Sequence, residues 1–177
     1  MTDQLFFDTD CFSSFLWVRQ ENLILQLYPG RIIVPQEVFT ELSNPSIPHI
    51  KGKLIDLLAN GSISIMKIMT NTEEYSLYYE LAIVPKKGRK VIGKGEAAAL
   101  ALAKVHKGII ASNNLKDISQ YVSFYKLEHI TTCDILAQAL DNGLIDEDSG
   151  NQIWSNMLQK RRLLPARTFT DYLKMKP

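Results

Sequence analysis

Gly93-Lys94-Gly95-Glu96-Ala97-Ala98-Ala99-Leu100-Ala101-Leu102-Ala103-Lys104-Val105-His106-Lys107-Gly108-Ile109-Ile110-Ala111-Ser112-Asn113-Asn114 is the stretch that decides the fold. Alanine and leucine, which lose little on entering a helix, dominate residues 96–106. Gly108 ends that helix. Ile109-Ile110-Ala111 follows as a strand short and apolar enough to be central, closed by the polar Ser112-Asn113-Asn114. A helix this apolar must lie against a core, and a short buried strand after it predicts an α/β fold with a parallel sheet.

The same alternation runs outward in both directions. Leu5-Phe6-Phe7 reads as a first strand, followed by a helix carrying Phe12, Phe15, Leu16 and Arg19 at helical spacing. Pro29-Gly30 breaks the chain before the strand Arg31-Ile32-Ile33-Val34. Pro35 suits the first turn of the next helix, where its missing N–H is not needed; that helix sets Val38 and Leu42 on one face and stops before Asn44-Pro45. Residues 51–59 are predicted helical with Asn60-Gly61 as a left-handed cap, 63–68 a strand, and 73–83 helical until Pro85. His129-Ile130-Thr131-Thr132 is the candidate fifth strand. Residues 134–140 and 148–161 read as closing helices, the second with Ile153, Trp154, Met157 and Leu158 as its core stripe. The expected architecture is a three-layer α/β/α sandwich around a parallel sheet of four to five strands. A domain over residues 1–145 would carry a helical extension, 146–177, packed on it.

Composition excludes several classes. Hydrophobic residues make up 46% of the 177, enough for a real core, and no run approaches the ~20 apolar residues of a membrane helix. Met1-Thr2-Asp3-Gln4 lacks the basic start of a signal peptide, so the expected location is cytoplasmic. Cys11 and Cys133 are expected to be reduced core thiols. His49, His106 and His129 show no metal spacing with one another or with the cysteines, and no P-loop motif is present. The net charge of +1 does not by itself advertise a polyanion partner. Lys86, Lys87, Arg89, Lys90 and Lys94 nevertheless cluster without an intervening acid, a local field suited to a phosphate backbone or simply a solvated loop. Tyr75, Tyr78 and Tyr79 are expected to be core or interface residues rather than base-stacking ones.

In open parallel sheets, ligands bind beyond the carboxyl ends of the strands. Asp8 stands there after the first strand, with Thr9-Asp10 continuing the turn. Glu41 lies two turns into the helix after the second strand. Glu96 opens the Ala/Leu helix, and Asp117 follows Asn114 by one turn. Each has an ordinary alternative: Asp8 or Asp10 as a helix cap, Glu41 as a surface residue, Glu96 and Asp117 as acids favoured by a helix N-terminus. Brought together, such carboxylates repel and call for a proton or a hard cation, and Mg²⁺ and Mn²⁺ favour oxygen ligands.

Four segments in this order resemble the PIN-domain family: Phe6-Phe7-Asp8-Thr9-Asp10, residues 34–42, Gly93-Lys94-Gly95-Glu96-Ala97-Ala98-Ala99-Leu100, and Ile110-Ala111-Ser112-Asn113-Asn114. The resemblance implies a metal-dependent nuclease acting on RNA, with Mg²⁺ or Mn²⁺ as cofactor. It assigns the first three acidic positions to Asp8, Glu41 and Glu96. The family's fourth acid normally falls where this chain has Asn114, so Asp117 is the candidate replacement and Asn114 a neutral ligand. Asp10, Ser112 and Asn113 are expected to position ligands or water around them. Many bacterial members are toxins silenced by a small antitoxin and often dimeric, so RNA, an antitoxin and a second copy are the candidate partners.

Two other readings stay open. A PIN-like module that binds RNA or protein without cutting is favoured by Asn114. A haloacid-dehalogenase-like phosphatase is suggested by Asp8-Thr9-Asp10, but it leaves the Glu96 helix unexplained and lacks a fitting late acidic pair.

Overall fold

Leu5, Phe6 and Phe7 are all fully buried, although they alternate between two faces: Leu5 and Phe7 belong to one core, Phe6 to the other. That is the environment of a central parallel strand covered by helices on both sides. A computed structural model describes residues 3–85 and 89–176 of the chain. The strands β1 (Leu5–Phe7), β2 (Ile32–Pro35), β3 (Ser64–Met66), β4 (Ile109–Ala111) and β5 (His129–Ile130) form one sheet in the order β3-β2-β1-β4-β5. All pairings are parallel. The sheet is doubly wound, and its order reverses between β1 and β4, which opens a crevice at their carboxyl ends.

Helices cover both faces. On the Leu5/Phe7 side lie α1 (Thr9–Trp17), α2 (Glu21–Leu27), α4 (Pro48–Ala59), α8 (Thr132–Asp141), α9 (Glu147–Gln159) and α10 (Phe169–Met175). On the Phe6 side lie α5 (Glu73–Ala82), α6 (Lys94–His106) and α7 (Leu115–Tyr125), while α3 (Gln36–Leu42) sends Val38 and Leu42 to the first core. The α6 residues from Ala97 to Ala103 are all buried, as the alanine-rich sequence demands. Small side chains let α6 lie close to β1, β2 and β4. Gly108 serves the same end: a Cβ there would stand 2.6 Å from Gln4 O and from the Phe6 ring.

Several elements depart from expectation. The first predicted helix is two, because Arg19 adopts φ +59° and breaks it; α2 follows. Helix α7 was not foreseen beyond Asp117, and α10 not at all. The strand expected over 63–68 shortens to β3. The fifth strand ends at Ile130 because Thr131 turns to cap α8, its hydroxyl accepting from Asp134 N. Leu158, expected in the core stripe of α9, is 38% exposed, whereas Ile153, Trp154 and Met157 are buried as expected. Cys11 and Cys133 are free and buried. Of the three tyrosines, Tyr75 stacks on Tyr79 at 6.2 Å, and Tyr79 is 44% exposed rather than buried. His106 stacks on Phe6 and pairs with Glu74 at 3.1 Å.

The C-terminal helices are built into the body. Trp154 is fully buried, packs against Phe169 and Tyr172, and donates its Nε1–H to Ala166 O at 3.0 Å. Phe169 is itself fully buried against Gly150. Among the described residues, no helix is long and apolar enough to cross a membrane.

Candidate active site

Asp8 ends β1 at the point where the strand order reverses. It caps α1, its Oδ1 accepting from Cys11 N at 2.7 Å. Its other oxygen, Oδ2, is buried without a hydrogen-bond partner. Burial pushes the Asp8 carboxyl up to about 7; the Ser112 hydroxyl and the Cys11 N–H oppose that rise, and the charges of Asp10 and Glu96 add to it. The helix-capping alternative is therefore true of Asp8 but accounts for only one of its two oxygens.

Glu96 opens α6 and reaches back to Gly93, accepting its N–H on Oε2 at 3.2 Å. Its Oε1 accepts from Asn114 Nδ2 at 2.6 Å, and the same nitrogen donates to Asp117 Oδ2 at 2.7 Å. Asn114 thus clamps two carboxylates that would otherwise repel. The sequence suggested Asn114 as a ligand through its carbonyl oxygen; instead its amide nitrogen faces the acids. Ser112, fully buried, accepts from Asn114 N at 3.2 Å and so holds the turn after β4.

Glu41 is exposed at the rim, one oxygen accepting from the Thr9 hydroxyl and the other from Gly95 N at 3.2 Å. The tight approach explains the glycine: a Cβ at Gly95 would stand 2.5 Å from Thr9 Oγ1 and 3.1 Å from Glu41 Oε2. One turn earlier on α3, Glu37 has a buried, unpartnered Oε2. Burial raises its carboxyl, its own backbone N–H lowers it, and Glu41 raises it further.

Asp10 faces the opposite wall. Its Oδ1 pairs with Arg162 Nη1 at 3.0 Å and its Oδ2 accepts from Asn113 Nδ2 at 3.3 Å. Asn113 in turn donates to Thr132 Oγ1 and accepts from Thr132 N, both at 2.9 Å, tying the site to the start of α8. Glu41, Asp10, Glu96 and Arg162 border a cavity of about 200 Å³. Asp10, Glu96, Asn114 and Arg162 also border a second cavity of about 330 Å³.

The two cavities therefore bring Asp10, Glu41 and Glu96 together with Asn113 and Asn114 from segments far apart in the chain, while Asp8 is buried within reach of the charges of Asp10 and Glu96 and Asp117 joins through Asn114. The basic segment behaves differently. Lys86 and Lys87 lie outside the described residues. Arg89 is held by Glu80 at 3.2 Å and lies over the rings of Tyr121 and Phe124. Lys90 and Lys94 are exposed. Thr9, Gly95, Glu37 and Arg162 were not read as site residues. Thr9 sits between two chosen acids, and Gly95 within the chosen turn, so their signal was local. Arg162 had none, since it stands 152 positions from Asp10 in the chain.

The donor set is the kind a hard divalent cation favours: carboxylate oxygens, one of them buried and unpartnered. Among the described residues, however, no three His, Cys, Asp or Glu side chains stand together as a ready metal-holding group. The acids are instead engaged by hydrogen bonds. Thr9 and Gly95 hold Glu41, Asn114 holds Glu96 and Asp117, and Arg162 holds Asp10.

A family model described as a PIN domain matches residues 4–175. The chain belongs to the PIN-domain family. PIN domains are generally nucleases and typically use divalent metals, and the five-stranded parallel sheet with its reversal at β1 and β4 is the architecture expected of a PIN-like sandwich. The match extends through α9 and α10. None of the curated proteins compared matches the chain.

Proposed function

We propose that this PIN-domain protein is a metal-dependent ribonuclease that hydrolyses phosphodiester bonds in single-stranded RNA, with Mg²⁺ or Mn²⁺ as its cofactor. The observation that carries the reading is the buried, unpartnered Oδ2 of Asp8 beside the charges of Asp10 and Glu96. A carboxylate in that state wants a proton or a cation, and the surrounding oxygens suit the cation. Asp8 and Glu96 would hold it, with Asp117 and Glu41 contributing directly or through water once their present hydrogen bonds yield. Such a cation supplies a water of lowered pKa and neutralises charge on the phosphoryl oxygens.

The chain's own residues do the rest. Asn114 keeps Glu96 and Asp117 side by side, so their charges are presented together. The Cys11 N–H fixes the orientation of Asp8. Thr9 and Gly95 aim Glu41 across the crevice. In hydrolysis the water oxygen would bond to phosphorus as the bond from phosphorus to the leaving ribose oxygen breaks, the water's proton passing to a carboxylate of this cluster or to solvent and the leaving oxygen taking a proton from solvent.

Asp8→Asn removes the charge while leaving the cap on Cys11. It should abolish cleavage of single-stranded RNA, with the folded circular dichroism spectrum retained. Full cleavage by that variant would end the proposal.

The Asn114 clamp also favours a second reading, a PIN-like module that binds RNA or protein without cutting. Isothermal titration with Mn²⁺ separates the two, since no uptake at millimolar metal supports the binding module. A toxin role, with an antitoxin partner, a dimer and a cytoplasmic location, follows from the family resemblance; co-purification with a small protein encoded beside it is the test. The phosphatase reading draws no support from the family match.

A further inference from the structure

We infer that Arg162, from the turn after α9, is the residue that grips a phosphate of the nucleic-acid strand in the acidic crevice. The inference rests on the ribonuclease reading and extends it to how the substrate is held. A crevice lined by the carboxylates of Asp10, Glu41 and Glu96 repels a phosphodiester unless a cation stands in its wall. Arg89, expected from the sequence to serve the backbone, is occupied by Glu80 and two aromatic rings. Arg162 instead lines both cavities and pairs with Asp10 there.

Its position is prepared. The turn is fixed by Arg161 N donating to Leu158 O at 2.9 Å and Arg162 N donating to Met157 O at 3.0 Å, with Arg161 in the left-handed region at φ +60°. Arg162 Nε donates to Lys160 O at 3.2 Å, and Nη1 donates to Asp10 Oδ1 and, at 3.4 Å, to Ser13 Oγ. Nη2 is the group's remaining donor. With Nε and Nη1 held in this way, the planar group is fixed in orientation and offers Nη2 as a charged donor to a phosphate oxygen. Asp10 is 45% exposed, so its pair with Arg162 is a partly solvated one that adds little to stability and does not compete strongly with a phosphate for the guanidinium. The partner chemistry is a single-stranded phosphodiester whose backbone crosses from one cavity to the other over Arg162.

The test is binding of a fluorescent single-stranded RNA by the full chain carrying Asp8→Asn, in Mg²⁺, over a range of salt. Adding Arg162→Gln should weaken binding roughly tenfold and reduce the slope of log affinity against log salt by about 0.7, one phosphate contact's worth. Arg162→Lys should restore the slope but only part of the affinity, because an ammonium keeps the charge but lacks the planar group that Lys160 O, Asp10 and Ser13 hold in place. The thermal midpoint and Mn²⁺ uptake should be those of the parent. Unchanged affinity and salt slope in Arg162→Gln would overturn the inference and leave the ribonuclease reading intact. A lowered thermal midpoint with an unchanged slope in both variants would make Arg162 a structural counter-ion of Asp10. If the Asp8→Asn chain binds no RNA at all, the ribonuclease reading and this inference fall together.

Discussion

Asn114 Nδ2 lies 2.6 Å from Glu96 Oε1, so a neutral amide occupies the place where the PIN family's sequence pattern normally has an acid. The same nitrogen serves Asp117, and one donor group thereby relieves the repulsion between two carboxylates without any cation. Replacing it with a carboxylate, Asn114→Asp, removes both hydrogen bonds and sets three like charges against one another. The variant should lose about 2–4 kcal/mol of stability without metal, and Mn²⁺ should restore most of it through tighter binding, roughly tenfold. Urea melts with and without Mn²⁺ measure both effects. Equal stability of the two chains without metal would show that the clamp has no energetic role.

Asp8 dictates a pH dependence of opposite sign to that of most carboxylates. Its folded value, about 7, lies above the ordinary 3.8, so the folded chain keeps a proton that the unfolded chain releases. Stability without metal should therefore fall as pH rises from about 4 to about 7 and then level off, a loss on the order of 4 kcal/mol. Asp8→Asn removes this loss and should melt higher than the parent at pH 8 without metal, though not at pH 4. Thermal melts in a chelator across that range decide the matter, and a parent chain as stable at pH 8 as at pH 5 would contradict it.

Gly95 and Gly93 offer a paired test of crowding at the mouth of the crevice. A methyl group at Gly95 meets Thr9 and Glu41 inside normal contact distance, whereas at Gly93 the nearest atom is Glu96 Oε2 at 3.4 Å, an ordinary contact. Gly95→Ala should cost about 1–3 kcal/mol and displace Glu41; Gly93→Ala should cost a few tenths, on the order of a weakened N-cap. Denaturant midpoints of the two variants, with RNA cleavage assayed alongside, compare them directly. Similar midpoints would mean that Glu41 yields without strain.

Phe169 tests whether the C-terminal helices belong to the body. It is fully buried between Trp154, Tyr172 and Gly150. Phe169→Ala should cost about 3–5 kcal/mol, as for other large aromatic deletions in a core. A loss under about 1 kcal/mol, read from the urea midpoint, would make residues 146–177 an appendage rather than part of one cooperative unit.

Some of this was legible in the sequence for physical reasons. A strand buried on both faces must be apolar throughout, and Leu5-Phe6-Phe7 and Ile109-Ile110-Ala111 are. An alanine-rich helix reveals close packing against a sheet, and polar residues following buried strands must lie at the sheet's edge. Those rules placed Asp8, Glu96 and Asn114 at the crevice. Local capping blurred the boundaries: a left-handed Arg19 splits a continuous helical pattern, and Thr131 ends a strand to start a helix.

Periodicity and propensity, which act within a few residues, determined the α/β class, the parallel sheet and the order of the acidic segments. Only the folded chain decided how those acids are held, because a hydrogen bond depends on direction as well as proximity. Asn114 offers its nitrogen rather than its oxygen, Arg89 turns inward, and Arg162, separated from Asp10 by 152 positions, enters the crevice. No pattern along the chain encodes that last approach, since it depends on where the turn after α9 meets the start of α1 in the folded molecule.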